Sequence, residues 1–189
     1  MGLESFATLS NGMKIANPRF FCMGERELER VQRRLSKTGK GDVEWRKRVR
    51  IVQRVYERIA NKRYDFVHKL SRSLVNEYGF IAFEDLNING MVRNHCLAKS
   101  IGDAAWNMLI ATTKYKAESA GTIIAMVNPA NTLRICSRCG LIVEKEPKDR
   151  AHECHGCGLV IDRDENAAVN ILRLGLQSIG PRAVKAHRV

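Results

Sequence analysis

Cys136-Ser-Arg-Cys139, fourteen intervening residues, Cys154-His-Gly-Cys157, and then Asp162-Arg-Asp-Glu-Asn-Ala-Ala168 form the stretch that decides how the chain folds. Two Cys-x-x-Cys pairs at this separation are the pattern of a four-thiolate zinc site, each pair being a knuckle whose turn aims two sulfurs at one ion. Gly140 and Gly158 follow the second cysteine of each pair, where a tight turn with positive φ needs a residue without Cβ. Four thiolates complete a tetrahedron and leave no open position, so a Zn2+ held by Cys136, Cys139, Cys154 and Cys157 is structural. His152 and His155 are substitute ligands that four thiolates make unnecessary, and the isolated Cys22 and Cys96 read as ordinary apolar residues.

Downstream of the knuckles, Ala167, Ala168, Ile171 and Leu172 share one side of a helix predicted from about 165 to 174, with Gly175 as its cap and a loose basic tail beyond. Upstream, the apolar run 80–83 reads as a strand that delivers Glu84 and Asp85 at its C-terminal end. Helical spacing over 97–120, a stop at Gly121 and a second apolar run at 123–127 predict a parallel strand–helix–strand crossover. Acids carried by separate elements, Glu84 and Asp85 on one side and Asp162 and Asp164 on the other, can together hold Mg2+ for phosphate chemistry. On composition alone, Asp164 is better read as the N-cap of the last helix, and Glu84 as a surface carboxylate.

The chain opens with a predicted β-hairpin, residues 3–9 and 13–16 joined by a two-residue Asn11-Gly12 turn and closed by Pro18. Helical patterns follow at 24–37 and, after Gly39, Gly41 and Asp42, in a long stripe from Val52 to Leu74; together they predict a helical hairpin spanning about 24–78. Residues 19–72 hold 17 Lys or Arg against 7 Asp or Glu, which places +10 of the chain's +12 net charge in this arm. A solvated helix surface would be served equally well by balanced charge, so the excess points to phosphate contact. Arg30, Arg33, Arg34, Lys37, Arg46, Lys47, Arg50 and Arg54 are the candidate contacts.

At 189 residues, with 44% hydrophobic and 28% charged side chains, the chain has the composition of a folded domain and is too short for a multi-domain machine. The basic balance favours a polyanionic partner over an acidic small molecule. No run approaches the 18 or so apolar residues of a membrane span, and the start has neither a signal sequence nor a myristoylation signal, since Phe6 stands where that signal needs Ser or Thr. The expected location is the cytoplasm, where reducing conditions favour metal ligation over disulfides.

Ser5-Phe-Ala-Thr-Leu-Ser-Asn-Gly12, Asn17-Pro-Arg-Phe20, Arg33-Arg-Leu-Ser36, Glu84-Asp-Leu86, Asn128-Pro129, Cys136-Ser-Arg-Cys-Gly140 and Asp162-Arg-Asp-Glu-Asn-Ala-Ala168 together resemble the TnpB, or OrfB, family of insertion-sequence proteins, relatives of the type V CRISPR effectors. The resemblance runs through almost the whole chain in the family's order. It implies an α/β, RNase H-like (RuvC-type) fold with a mixed sheet and an inserted zinc ribbon, in a transposase-associated protein that acts as an RNA-guided, Mg2+-dependent DNA nuclease. DNA and a guide RNA are the implied partners. By the same resemblance Glu84 corresponds to the second catalytic acid and Asp164 to the third, displacing the N-cap reading, with Asp85 and Asp162 as neighbours. The implied organisation is a RuvC-like core with the basic arm at 1–128, the ribbon at 129–161, the final motif and helix at 162–175 and the tail at 176–189.

The chain departs from that pattern at its start. The family's first catalytic acid lies in a Gly-hydrophobic-Asp-x-Gly strand, of which Met1-Gly2 match only the last two positions. A smaller departure is Leu133-Arg134, where Ser-Gln is common. The expectation is a C-terminal portion whose sheet lacks its first strand, leaving the hairpin and the 80–83 strand with raw edges. Such a chain folds marginally and is catalytically silent alone, unless another polypeptide supplies the N-terminal half. The competing expectations are a silent nucleic-acid binder and a decayed or misassigned gene fragment.

Overall fold

The computed structural model describes residues 1–2, 4–86, 105–146 and 149–185, with side chains to 180. Strand β1 (Ser5–Thr8) pairs antiparallel with β2 (Lys14–Ala16), followed by helices α1 (Phe20–Ser36) and α2 (Val43–Glu77). Strand β3 (Phe80–Glu84), helix α3 (Trp106–Ala120) and strand β4 (Ile123–Val127) come next. The chain ends in β5 (Ala151–Glu153), β6 (Val160–Asp162) and helix α4 (Arg163–Lys185). Cys96 and the 97–104 part of the expected third helix lie outside the described residues.

The hairpin turn has three residues rather than the expected two. The Leu9 N–H donates to Met13 O at 2.9 Å, the Gly12 N–H returns to Leu9 O at 3.1 Å, and Gly12 takes the left-handed position with φ 82°. The Asn11 side chain, which favours a two-residue turn in sequence, instead accepts the Met13 N–H at 3.0 Å.

Helix α2, 35 residues and about 52 Å long at 1.5 Å per residue, belongs to two cores. Near its start Val55 and Ile59 meet Leu28 and Val31 of α1, with Phe20, Phe21 and Val52 around them. Toward its end Val67 and Leu74 join Phe6 and Ala7 of β1, Phe83 of β3, and Trp106, Leu109 and Ile110 of α3. Phe66 stands edge-on to Phe6 at 5.0 Å and to Phe20 at 5.8 Å, linking the two clusters.

Strands β3 and β4 are parallel, in register from Phe80 opposite Ile123 to Glu84 opposite Val127, and the Asp85 N–H carries the ladder one step further to Val127 O at 2.8 Å. The crossover read from sequence is therefore present. Among the described residues the ladders are three separate pairs, β1–β2, β3–β4 and β5–β6, so the hairpin and β3 share no ladder hydrogen bonds.

Helix α4 crosses the β3–β4 pair and also departs from expectation. It does not stop at Gly175, because Leu176 and Ile179 extend its half-buried stripe, and the helical backbone breaks only at Gly180 (φ 70°, ψ 166°). Gly175 serves close approach instead of capping, since a Cβ there would lie 2.7 Å from the Ala82 methyl. The expected loose tail is helical through Lys185.

Candidate metal centre and acidic cleft

The two knuckles repeat one hydrogen-bond pattern. Gly140 and Gly158, at φ 80° and 71°, donate to Cys136 O and Cys154 O at 2.9 and 2.8 Å, while Cys136 and Cys154 N–H groups each donate at 2.8 Å to Leu141 O and Leu159 O. This folds the four sulfurs toward one point. Cys136 Sγ lies 3.6 Å from Cys157 Sγ, Cys139 Sγ lies 3.6 Å from Cys154 Sγ, and all four fall within 4.8 Å of one another. A tetrahedron of about 2.3 Å Zn–S bonds has sulfur–sulfur edges of roughly 3.8 Å, so the quartet fits zinc. All four cysteines are free thiols.

Burial opposes ionisation of Cys136, but the N–H groups of Cys139 and Arg138 and the His152 ring outweigh it and bring the thiol down to about 5. Cys157 is drawn down by the Leu159 N–H, yet burial and its three neighbouring sulfurs push it up to about 12. One sulfur carries charge readily and another resists it, the condition that a divalent cation relieves. His152 is fully buried beside Cys136, and among the described residues neither ring nitrogen has a conventional hydrogen-bond partner.

Two asparagines tie the ribbon to α4. Asn166, fully buried, accepts the Ser137 N–H at 2.9 Å and donates to Ile135 O at 2.8 Å. One turn on, Asn170 donates to Thr132 O and Ile135 O at 2.9 and 2.7 Å, and Arg173 donates to Ser137 O. Sequence reasoning passed over this clasp; its signal is an i, i+4 asparagine pair beside the apolar stripe of Ala167 and Ile171.

The N-cap of α4 is Asp162, not Asp164. Asp162 Oδ1 accepts the Asp164 and Glu165 N–H groups at 2.9 and 3.2 Å, and Oδ2 takes Lys14 Nζ at 2.7 Å. Burial raises the Asp162 carboxyl, but Lys14 and the two N–H groups overcome this and hold it below its ordinary value of 3.8. Asp164 is left with a 3.2 Å contact to Arg163 and about a third of its side-chain surface exposed.

Glu84 and Asp164, from elements 80 residues apart in sequence, line one cavity of about 790 Å³ between the β1–β2 hairpin, β3 and α4. The Met1 nitrogen lies 3.2 Å from Glu84 Oε2 in the same cavity. Asp85 is exposed and does not line it. The eight arm residues Arg30, Arg33, Arg34, Lys37, Arg46, Lys47, Arg50 and Arg54 are all exposed, on α1 and α2 except for Lys37, which caps the C-terminus of α1. Among the described residues only Arg33 of these has a carboxylate partner, Glu29 at 3.4 Å. No described helix is long and apolar enough to cross a membrane.

The fold and site define a class: a mixed α/β chain with four helices and small sheets among its described residues, and with a four-cysteine cluster that can hold a metal such as zinc clasped to its last described helix. Residues 1–95 match the OrfB_IS605 family, described as "Probable transposase", and residues 106–171 match the Cas12f1-like TNB domain. The chain belongs to the OrfB_IS605 family. It is similar to the "Putative RNA-guided DNA endonuclease" of Streptomyces pristinaespiralis, 38% identical over 93% of this chain and 44% of that protein. It also resembles the "Putative RNA-guided DNA endonuclease InsQ" of Escherichia coli K12, 30% identical over 92% of this chain and 47% of that one. A chain in the cryo-EM structure of the Cas12f1–sgRNA–target DNA complex superposes with a TM-score of 0.54 at 18% identity, over 84% of this chain and 43% of that one. The chain therefore spans about half the length of the relatives it matches.

Proposed function

We propose that the chain is the C-terminal, RuvC-like portion of an insertion-sequence RNA-guided DNA endonuclease, with Glu84 and Asp164 as two of its metal-binding acids. The observation that carries this reading is that these two carboxylates share one cavity although 80 residues separate them. Mg2+ held there would polarise a phosphodiester and activate water for in-line attack. The chain's own residues would position that chemistry: β3 holds Glu84, the Asp162-capped start of α4 holds Asp164, and the basic hairpin carries DNA or guide RNA by its backbone.

The same reading gives the cavity an occupant. The hairpin and the β3–β4 pair are separate ladders with the cavity between them, and an extended segment there would meet the edges of both. With the Met1 nitrogen beside Glu84, a segment joined ahead of Met1 enters the cavity at the acidic end and can add a third carboxylate. The proposal includes this missing acid and the silence of the chain without it. Fusing a Gly-hydrophobic-Asp strand ahead of Met1 should produce Mg2+-dependent DNA cleavage that E84Q and D164N abolish; continued silence with a folded fusion counts against a latent nuclease.

A second reading, a silent nucleic-acid binder, draws on the seven arm cations that have no carboxylate partner among the described residues. It expects affinity for duplexes and heteroduplexes that falls steeply between about 50 and 200 mM salt. A flat salt response would remove it. Either reading places the protein in the cytoplasm with its nucleic-acid partner.

A further inference from the structure

Away from the acidic cleft, three rings gather where α2 meets α3. Tyr64 and His68 are one turn apart on α2, with ring centroids 4.0 Å apart and planes tilted by 39°. Tyr115 of α3 continues the row, 6.3 Å from His68 at 50°. Tyr64 and Tyr115 are 54% and 52% exposed, and among the described residues neither hydroxyl has a hydrogen-bond partner. None of the three lines the acidic cavity.

The row is held from below. Lys116 is 4% exposed, and its Nζ donates to His68 O at 2.6 Å and Ser71 Oγ at 2.8 Å, pinning α3 to the turn of α2 that carries the ring. The same ammonium lies 6.0 Å from the Tyr115 ring centroid. Burial, and then the nearby Arg72, lower its pKa. A buried cation that joins two helices without a carboxylate makes a rigid base for exposed rings.

Charge surrounds the row in one sign. Arg72, one turn beyond His68, and Lys114, next to Tyr115, are exposed and have no acidic partner among the described residues. Asp65, the acid nearest Tyr64 in sequence, is neutralised by Lys69 at 2.8 Å. Across 62–72 and 114–118, six Lys or Arg stand against Asp65 and Glu118.

We propose that Tyr64, His68 and Tyr115 form a stacking platform for unpaired bases of a single-stranded nucleic acid, whose phosphates lie against Arg72 and Lys114. Half-exposed rings beside cations that have no acidic partner among the described residues match such a strand, because every base offers a π-face and every nucleotide a negative charge. A protein partner would satisfy the rings but leave the cations without their complement. The inference rests on the nucleic-acid reading given above and adds a requirement for bases, which the basic arm does not impose.

The test compares the full chain's affinity for a labelled 20-nucleotide single strand with that for an abasic strand of the same length, at fixed salt. Y64A and Y115A should each weaken the base-bearing strand about 5- to 150-fold, the range expected per stacked base. They should leave the abasic strand unchanged, whereas R72Q weakens both strands, and Y64F and Y115F retain affinity. Independently of folding in any variant, a strand carrying 5-iodouracil should crosslink on irradiation of the unaltered chain to Tyr64 or Tyr115. Equal effects on both strands, or crosslinks confined to α1 and the first half of α2, overturn the platform and leave the basic-arm reading standing. A chain that binds neither strand nor duplex overturns both, and tyrosine variants that disturb only binding to another protein make the surface a protein interface instead.

Discussion

In the ribbon, the hydrogen bonds that set the four sulfurs span four or five residues, from Gly140 N–H to Cys136 O and from Cys136 N–H to Leu141 O. In the acidic cleft, Glu84 and Asp164 face one cavity only because β3, α4 and the hairpin are packed together across most of the chain. The first region is local geometry that can hold a metal; the second is a product of tertiary packing. Asn166 and Asn170 join them, since α4, which carries Asp164 in its first turn, holds the first knuckle by its main chain. Order in the ribbon is thereby transmitted to one wall of the cleft, and loss of order should travel the same way.

The largest effect that would break this comparison is C136S or chelation of the metal. Structural zinc contributes about 10–16 kcal/mol in small zinc-finger peptides, as much as the whole stability of a typical domain. Hydrogen exchange should show the Gly140 and Gly158 amides losing protection while the near-ultraviolet signal of Trp106 persists. Unchanged amide protection would mean that the knuckles do not need the ion. F6A should come next: it empties a fully buried site in the core that β1 shares with α2 and β3, and should cost about 3–5 kcal/mol, read as a lower denaturation midpoint with ribbon amides still protected at low denaturant.

N166A addresses the join itself. It leaves the Ser137 N–H without its acceptor and should cost about 1–3 kcal/mol, with exchange rising together at Ser137 and at the first turn of α4. A rise at Ser137 alone would separate the two regions. The smallest effect is expected for D162A, about 1 kcal/mol from the lost cap. Its pH dependence follows from a carboxyl held below 3.8 in the folded chain. The stabilisation is present in full above that value and disappears as pH falls through the lower folded value, so native and D162A melting curves should differ at neutral pH and converge in strong acid.

What was legible in the sequence follows the same division. The knuckles could be read because Cys-x-x-Cys-Gly specifies its own turn, and the β3–α3–β4 crossover because apolar runs and helical spacing are local signals. The end of α4 could not, since Gly175 is a stop by local propensity and a contact point only in the presence of Ala82. The cap was misplaced by two residues because Asp162 and Asp164 are equivalent by propensity; Lys14, 148 residues away, completes the engagement of Asp162. Glu84 and Asp164 were singled out by resemblance rather than by spacing, and their common cavity is a property of the fold alone.

Helix α2 runs without interruption from the basic hairpin to the core beneath β3, with Phe66 contacting the ring clusters on either side. A continuous helix of that length is stiff, so a displacement of the arm's outer end would be carried along it past Phe66 into the core. Cargo seated tens of ångströms away would register at Phe83, one residue before Glu84, as a tilt of a rod.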